Sequence, residues 1–532
     1  MITLFRLRSS RPVALALAAV LLGTTMLPDA AAAENGAPVG VGDPVFPSLG
    51  TTGYDALAYD LAFRYRPATH TVDATAVLTA RALTALPSLE LDALGLDVHT
   101  VRVDGRAAGF RTHDEKLTVV PDQPVRRGAV LQVTVEYTVD PRAHLPHTGW
   151  VPTADGFAVA GQPDGAHTVF PCNDHPSDKA RLTVAVTAPD GLLGVATGHL
   201  SATGHDDGTA SGGAAGGSVG GTGDGSGAAG DDGPTTTRWY VSREPVATEV
   251  VQVSVGTYTV RERTGPGGLP LRDVVPTARA ADLEPALALT PAQLEWAQQR
   301  LGPFPFETYG LLPADTDDPA AFDFTGLETQ TLTLYKPNFL RQAERQIGSH
   351  MMHELVHSWF GNSVSPRSWA DLWLNEGHAD FYGLMYRYER GWADSAGFTT
   401  LADRMRDVYA AGDQWRHDSG PVAAPTAATL FDSQRYTGGA LVLFALRERV
   451  GADAFDRIER TFLQRYRGGS ATTADYIRTA AEVSGGDVTA FLTDWLHGER
   501  TPPMPGHPDW TVAPVDPTAR RSAPAPRGTG TL

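Results

Sequence analysis

The chain has 532 residues, enough for two to four domains of ordinary size, each with its own core. Its formal net charge of −18 argues against a nucleic-acid partner, because binding phosphates requires clustered lysine and arginine. A single cysteine, Cys172, excludes an intrachain disulfide, and we interpret it as a packing residue.

The first 33 residues have the pattern of an export signal. Arg6, Arg8 and Arg11 precede an apolar run at residues 13–22, and the alanines at residues 31–33 offer a cleavage site. A run of this length is too short to span a bilayer, which takes about 18 residues or more. We therefore predict a signal peptide over residues 1–33 and a secreted protein. The alternative is an uncleaved amphipathic anchor.

Residues 34–260 are predicted to form an antiparallel β domain. Apolar side chains alternate with polar ones along several runs, most clearly at Leu131, Val133 and Val135. A period of two is typical of a strand with one buried face. Within this domain, residues 201–237 are dominated by small residues and aspartate. Such a segment buries too little apolar surface to offset its ordering, so we expect a flexible insert.

Residues 261–500 are predicted to be mainly helical. The spacing of apolar residues predicts helices near residues 342–360, 372–390, 437–450 and 474–496. Thr290 and Gln293 have the spacing of a capping box at the start of an earlier helix. From residue 501 to 532 the chain is rich in proline, arginine and small residues, which predicts a disordered tail.

The first of these helices contains an H-E-x-x-H pattern formed by His353, Glu354 and His357. Residues four apart share one face of a helix, so both imidazoles can bind one Zn²⁺ ion. Glu354 lies one residue along, where its carboxylate can exchange a proton with a water molecule that the ion activates. The alternative is a solvated helix with two surface histidines.

A catalytic zinc site usually has a third protein ligand, and Glu376 is our candidate. It follows His357 by nineteen residues and lies early in the next helix, which could pack antiparallel to the first. Asp380 lies one turn further on and could accept the outer N–H of a zinc-bound histidine. Exposed helical carboxylates are the alternative for both residues.

This pattern resembles that of the gluzincin metallopeptidases, in the aminopeptidase N and leukotriene hydrolase family. Similar stretches extend from about residue 45 to residue 505 and include residues 170–180, 304–310 and 436–440. The resemblance implies an α+β multidomain fold, in which an N-terminal antiparallel β domain precedes a thermolysin-like, mainly helical zinc-peptidase domain. It also implies one Zn²⁺ ion per chain.

The resemblance assigns three further roles. Tyr436 would stabilise the oxyanion of the tetrahedral intermediate. Glu328 would bind the free α-amino group of the substrate. Gln162 falls where the family has a second amine-binding group. The stretch around Glu328 reads Gly-Leu-Glu-Thr-Gln, and so departs from the family's Gly-x-Met-Glu-Asn signature.

These assignments predict a secreted zinc aminopeptidase that acts on peptides with a free N-terminus, with Glu354 as general base and acid. Two alternatives remain open. One is an epoxide hydrolase of the leukotriene hydrolase type, which would use the same zinc site. The other is a zinc-containing binding or scaffold protein without catalysis. We expect a monomer with no membrane span.

Overall fold

The computed structural model describes residues 40–208, 233–316 and 324–518. The predicted signal peptide and residues 209–232 of the insert lie outside these ranges. Within the described residues, no helix is both long enough and apolar enough to cross a lipid bilayer.

The N-terminal part is a β domain in which alternation separates a buried face from an exposed one. The strands in chain order are β1 Tyr54–Arg66, β2 Thr71–Ala82, β3 Leu89–Asp92, β4 Asp97–Val103, β5 Arg106–Ala107, β6 Gly109–His113, β7 Lys116–Val120, β8 Val130–Val139, β9 Trp150–Pro152, β10 Phe157–Val159, β11 Arg181–Pro189, β12 Leu193–Ala196, β13 His199–Asp206, β14 Thr235–Val241 and β15 Val253–Gly256. In β8, Leu131, Val133 and Val135 are buried as the pattern predicts.

The largest sheet has eight strands in the order β13-β14-β11-β1-β2-β8-β4-β5. Its pairings are antiparallel except for β1 with β11, which run parallel with Ala58 opposite Arg181. A four-stranded sheet, β12-β15-β10-β9, and a three-stranded sheet, β3-β7-β6, complete the domain. The N-terminal β-rich part is therefore confirmed, with one parallel pairing.

The predicted insert is shorter than its composition indicates. Strand β13 continues to Asp206 and β14 begins at Thr235, so both ends of residues 201–237 are ordered. The two strands pair in register, with Asp206 opposite Thr235. Threonine and alanine can form an edge hairpin when their backbone N–H and C=O groups pair with a neighbouring strand. The composition of the segment does not indicate that pairing.

The rest of the described chain is mainly helical, with a hairpin at its start and short strands between its helices. The helices are α1 Ala280–Leu287, α2 Thr290–Leu301, α3 Pro337–Leu340, α4 Glu344–Val356, α5 Trp373–Glu389, α6 Leu401–Ser419, α7 Thr437–Val450, α8 Ala452–Tyr466, α9 Thr473–Val483 and α10 Thr489–His497. The strands are β16 Tyr258–Thr264, β17 Pro270–Pro276, β18 Leu311–Pro313, β19 Gly326–Leu327, β20 Thr333–Tyr335, β21 Ser365–Pro366 and β22 Ser470–Ala471.

Two helix predictions differ from the structure. The single helix expected at residues 474–496 is two helices, α9 and α10, because Gly485 has a φ of +77° and interrupts the helix. The capping box at Thr290 is wrong. Gln293 Nε2 instead donates to the carbonyl oxygen of Gly348 at 2.8 Å, which ties α2 to α4.

The predicted disordered tail is also wrong for residues 501–518. Met504 and Trp510 are 5% and 9% exposed and pack into the core of the helical part. The backbone N–H of Ala513 donates to the carbonyl of Ala410 on α6 at 2.8 Å. Two apolar side chains are enough to anchor a proline-rich segment that has no regular secondary structure.

Helices α4, α5 and α7 form the centre of the helical part. A Cβ atom added to Gly377 on α5 would lie 2.9 Å from the Cα atom of Gly439 on α7. These two glycines therefore allow the helix backbones to approach closely. The close packing brings the first turn of α5 and the start of α7 against α4, where the candidate ligands lie.

Candidate metal centre

His353 and His357 meet at the C-terminal end of α4. Both are almost fully buried, at 3% and 1% exposed, and their Nε2 atoms lie 3.1 Å apart. Helix α4 ends at Val356, earlier than predicted, and His357 occupies the capping position with φ −55° and ψ −24°. Because those angles are still helical, the spacing of four residues keeps both imidazoles on one side.

Glu376 completes a triangle of donors from the first turn of α5. Its Oε2 atom lies 3.3 Å from Nε2 of His353 and 3.4 Å from Nε2 of His357. Bonds of about 2.0–2.1 Å to a tetrahedral zinc ion would separate two ligand atoms by about 3.3 Å. The three donors therefore fit one Zn²⁺ ion.

The outer nitrogen of each histidine has its own partner. Nδ1 of His353 donates to Oδ1 of Asp380 at 3.0 Å, and Oδ2 of Asp380 accepts from Thr437 Oγ1 at 2.8 Å. Nδ1 of His357 donates to the carbonyl of Phe360 at 3.1 Å. These contacts direct each Nε2 lone pair toward the centre of the triangle. Asp380 thus has the position predicted from its spacing.

A second group of possible ligands contains Glu328, Glu354 and His357. Its shortest contact from His357 to Glu328 uses Nδ1, at 3.9 Å. That nitrogen already donates to the carbonyl of Phe360. The triangle that includes Glu376 is therefore the better metal site.

The charges at the centre shift the pKa values of its histidine and glutamate side chains in opposite directions. Burial would lower the pKa of His357, but Glu328 and Glu376 raise it to about 9. Burial would raise the pKa of Glu376, but His357 and His353 lower it to about 2. Glu376 is therefore ionised and available as an anionic ligand. A bound cation would offset the energetic cost of burying its negative charge.

Glu354 lies beside the donors and is 3% exposed. Burial raises the pKa of this carboxyl to about 8. Its Oε1 atom is 3.2 Å from Nε2 of His350, one turn earlier on α4. Strand β19 passes over it so closely that a Cβ on Gly326 would lie 2.6 Å from Oε1.

Glu328 follows β19, is 3% exposed and lies close to Glu354 and His357. Its Oε1 atom accepts a hydrogen bond at 2.7 Å from Nε2 of Gln162, which belongs to the β domain. Its backbone carbonyl accepts from Asn362 Nδ2 at 2.6 Å. The structure therefore brings the two predicted amine-binding residues into contact.

Tyr436 lies at the start of α7 and is 5% exposed. Its ring stacks on the imidazole of His353, with centroids 6.0 Å apart and planes 10° apart. This places the phenol side chain at the edge of the donor triangle.

All the predicted site residues thus lie in one region. Sequence reasoning missed three residues of the site. Thr437 contacts Asp380, Asn362 contacts Glu328, and His350 contacts Glu354. The spacing of four between His350 and Glu354 is a usable signal, since those positions share a helix face. Asn362 lies in a turn, where no periodicity indicates the direction of its amide.

Comparison with known proteins agrees with this geometry. Residues 286–495 match the model of the Peptidase family M1 domain. Glutamyl aminopeptidase of Mus musculus is 25% identical over 358 residues, which are 64% of this chain and 34% of that protein. Leukotriene A-4 hydrolase of Xenopus laevis is 25% identical over 470 residues, 83% of this chain and 71% of that protein. The chain spans about a third of the length of the glutamyl aminopeptidases that it matches.

The fold is also similar to solved structures. The M1 zinc metallopeptidase of Deinococcus radiodurans is 28% identical, with a TM-score of 0.71 over 88% of this chain and 99% of that one. A two-domain M1 zinc metallopeptidase bound to L-arginine has a TM-score of 0.70. This chain therefore contains a Peptidase family M1 domain at residues 286–495, and its β-rich part followed by a helical part is similar in fold to M1 zinc metallopeptidases.

Proposed function

We propose that this protein is a zinc aminopeptidase, which removes the first residue from peptides with a free N-terminus. The observation that carries the proposal is the position of Glu328, whose carboxylate lies 3.9 Å from the His357 ring at the metal centre. A buried carboxylate beside a peptidase metal can bind the α-ammonium group of a peptide while its first carbonyl reaches the metal.

Zinc held by His353, His357 and Glu376 would supply a Lewis acid that polarises a carbonyl and makes water a better nucleophile. Glu354 accepts the proton of the attacking water at its carboxylate and passes it to the departing amine. Its place beside the donors supports this role.

Tyr436 donates its phenol hydrogen to the oxygen on which negative charge develops. The stacking on His353 supports this role, because it fixes the ring next to the ligand set. A donor held in place before the reaction stabilises the charge without reorganisation.

Glu328 fixes the substrate by its N-terminus, with Gln162 holding one carboxylate oxygen. A longer extension at the N-terminus would place an uncharged amide against a buried carboxylate. That mismatch selects for exopeptidase cleavage.

The relatives support the same substrate class. Two that match this chain are named glutamyl aminopeptidase and aminopeptidase N. A variant of the Deinococcus radiodurans M1 zinc metallopeptidase was crystallised with a Tyr-Ser-Ala substrate.

Hydrolysis of an amino-acid arylamide, compared with its N-acetylated form, tests the proposal. We expect cleavage of the free-amine substrate only, lost on chelation and in Glu354→Gln. Loss of a charged hydrogen bond in Glu328→Gln should lower kcat/KM by about 10- to 100-fold. Equal cleavage of both substrates by the unmodified protein would exclude the role given to Glu328. Cleavage of neither would favour the scaffold alternative.

We also propose that the protein is exported after removal of residues 1–33. The basic start, apolar run and alanine site of the sequence support this. Mass spectrometry of protein secreted by an expressing bacterium should give an N-terminus at Glu34. Retention of the full-length chain inside the cell would contradict the proposal.

A further inference from the structure

A loop at residues 40–50 precedes the first strand and lies between the β domain and the helical part. We call it the N-terminal clasp. It closes on itself through the N–H of Val41, which donates to the carbonyl of Leu49 at 3.0 Å. At its end, the N–H of Gly50 donates to Oδ2 of the buried Asp92 in the β domain at 2.9 Å.

Asp43 attaches the clasp to the helical part. Its Oδ2 atom accepts from Ser368 Oγ and from the backbone N–H of Trp369, both at 2.8 Å. The same oxygen lies 3.2 Å from Nε2 of His175 in the β domain. Asp43 is 4% exposed, so removal of its carboxylate would leave buried donors without a partner.

The other oxygen of Asp43 shapes the clasp itself. Oδ1 accepts from the N–H of Val45 at 2.8 Å and from that of Phe46 at 3.1 Å. This turn presents both apolar side chains to the helical part. The ring of Phe46 meets that of Trp369 edge-on, with centroids 6.0 Å apart.

Val45 belongs to a small apolar cluster, separate from the two large cores, that reaches the active site. Its buried members are Val45, Trp369, Leu372, Leu430, Phe431 and Tyr436. Tyr436 thus belongs to this cluster and also stacks on His353. The backbone that Asp43 holds at Trp369 leads directly into α5, whose first turn carries Glu376.

We propose that Asp43 is a positioning residue for Tyr436, acting through the clasp and the apolar cluster. The inference rests on the proposed function, since it assumes that Tyr436 stabilises the oxyanion. Asp43 is 393 positions away from Tyr436 in the chain and contacts neither the metal ligands nor the substrate.

Kinetics of the full-length, zinc-loaded Asp43→Ala variant test the proposal. Loss of the anchor should displace Tyr436 by a fraction of an ångström and lower kcat by about 10- to 100-fold. KM should stay within about twofold, because the amine-binding Glu328 lies beside His357, whereas Tyr436 stacks on His353. A fall in kcat/KM carried by KM alone would overturn the proposal.

A double-mutant cycle with Tyr436→Phe separates positioning from a general loss of structure. If Asp43 acts through Tyr436, then Asp43→Ala should have little further effect in the Tyr436→Phe protein. Effects of the two substitutions that multiply would show that Asp43 acts elsewhere.

Asp394→Ala is the matched control. Its side chain is 5% exposed, and it accepts from Tyr388 Oη at 2.8 Å and from the N–H of Phe398 at 2.9 Å, beyond the far end of α5. Its effect should combine multiplicatively with that of Tyr436→Phe. If Asp43→Ala does not fold, Phe46→Ala should give a smaller loss of kcat with the same non-additivity.

A crystal structure of Asp43→Ala provides a readout that does not require activity. The proposal predicts a shifted or disordered Tyr436 side chain above an intact His353, His357 and Glu376 centre. An unmoved Tyr436 would overturn it, even if the unmodified protein proves inactive on arylamides and the aminopeptidase proposal itself fails.

Discussion

Gly326→Ala tests whether the position of Glu354 determines the rate. A Cβ atom on residue 326 would lie 2.6 Å from Oε1, 2.8 Å from Cδ and 2.9 Å from Cγ of Glu354. Strand β19 cannot simply retreat, because Gly326 pairs with Tyr335 of β20. To restore an ordinary contact of 3.4 Å, the carboxylate must move by about 0.8 Å.

A displacement of that size at a proton-transfer group costs about 10- to 100-fold in rate, or about 1.4–2.7 kcal/mol of transition-state stabilisation. We therefore expect Gly326→Ala to lower kcat on an amino-acid arylamide by that factor. Its zinc content should be unchanged, because the three atoms nearest the added methyl group all belong to Glu354 and none to a zinc ligand.

The assay is steady-state kinetics with zinc determined on the same sample. Gly486→Ala is the control, since a Cβ there meets no atom within 4 Å. In the Glu354→Gln background, Gly326→Ala should have little further effect, because the misplaced group is already inactive. A kcat within twofold of the unmodified protein would refute the reasoning.

Three further predictions follow from the same contacts. Asp380→Asn should weaken zinc binding by about 10- to 100-fold in a chelator competition, because His353 Nδ1 loses its anionic acceptor. Gly377→Ala should lower the unfolding midpoint and the zinc affinity together, because a methyl group 2.9 Å from the Cα of Gly439 separates α5 from α7. Burial raises the pKa of Glu249 to about 8, so the folded chain keeps a proton that the unfolded chain releases above about pH 4.5. That carboxyl therefore destabilises the fold progressively from about pH 4.5 to 8. The free energy of unfolding in urea should fall between these pH values by up to a few kcal/mol more in the unmodified protein than in Glu249→Gln.

Each of these predictions has a contradicting outcome, and the pH prediction also has a control. Glu295→Gln removes a charge from an exposed position of α2 and should not change how stability depends on pH. If it reproduces the Glu249→Gln result, net charge rather than burial is responsible. Unchanged zinc affinity in Asp380→Asn would show that the orientation of His353 does not depend on that carboxylate. Full stability of Gly377→Ala would show that α5 and α7 can separate at no cost.

The ligands could be predicted from sequence because their geometry is local. His353 and His357 are one helical turn apart, and the helix fixes their relative direction whatever surrounds it. Glu376 required one more assumption, that the next helix packs antiparallel, and the structure agrees. The bounds of α7 were likewise predicted, since its apolar run at residues 440–446 is followed by Gly451, which ends the helix.

Contacts between distant segments could not be predicted. Nothing in the local sequence of Asp43 indicates that it meets Ser368 and Trp369, 325 and 326 positions away. The packing of Trp510 was missed for the same reason, because a proline-rich composition describes the segment and not the surface that receives it. Such contacts depend on how the elements assemble, which periodicity does not record.

The central claim is that His353, His357 and Glu376 together hold one catalytic zinc ion. Anomalous diffraction at the zinc absorption edge, from crystals of the purified protein, tests it most directly. The account predicts one peak within about 2.0–2.2 Å of Nε2 of both histidines and of the Glu376 carboxylate. A zinc peak at another group of residues, or one at these histidines with Glu376 turned away, would contradict it.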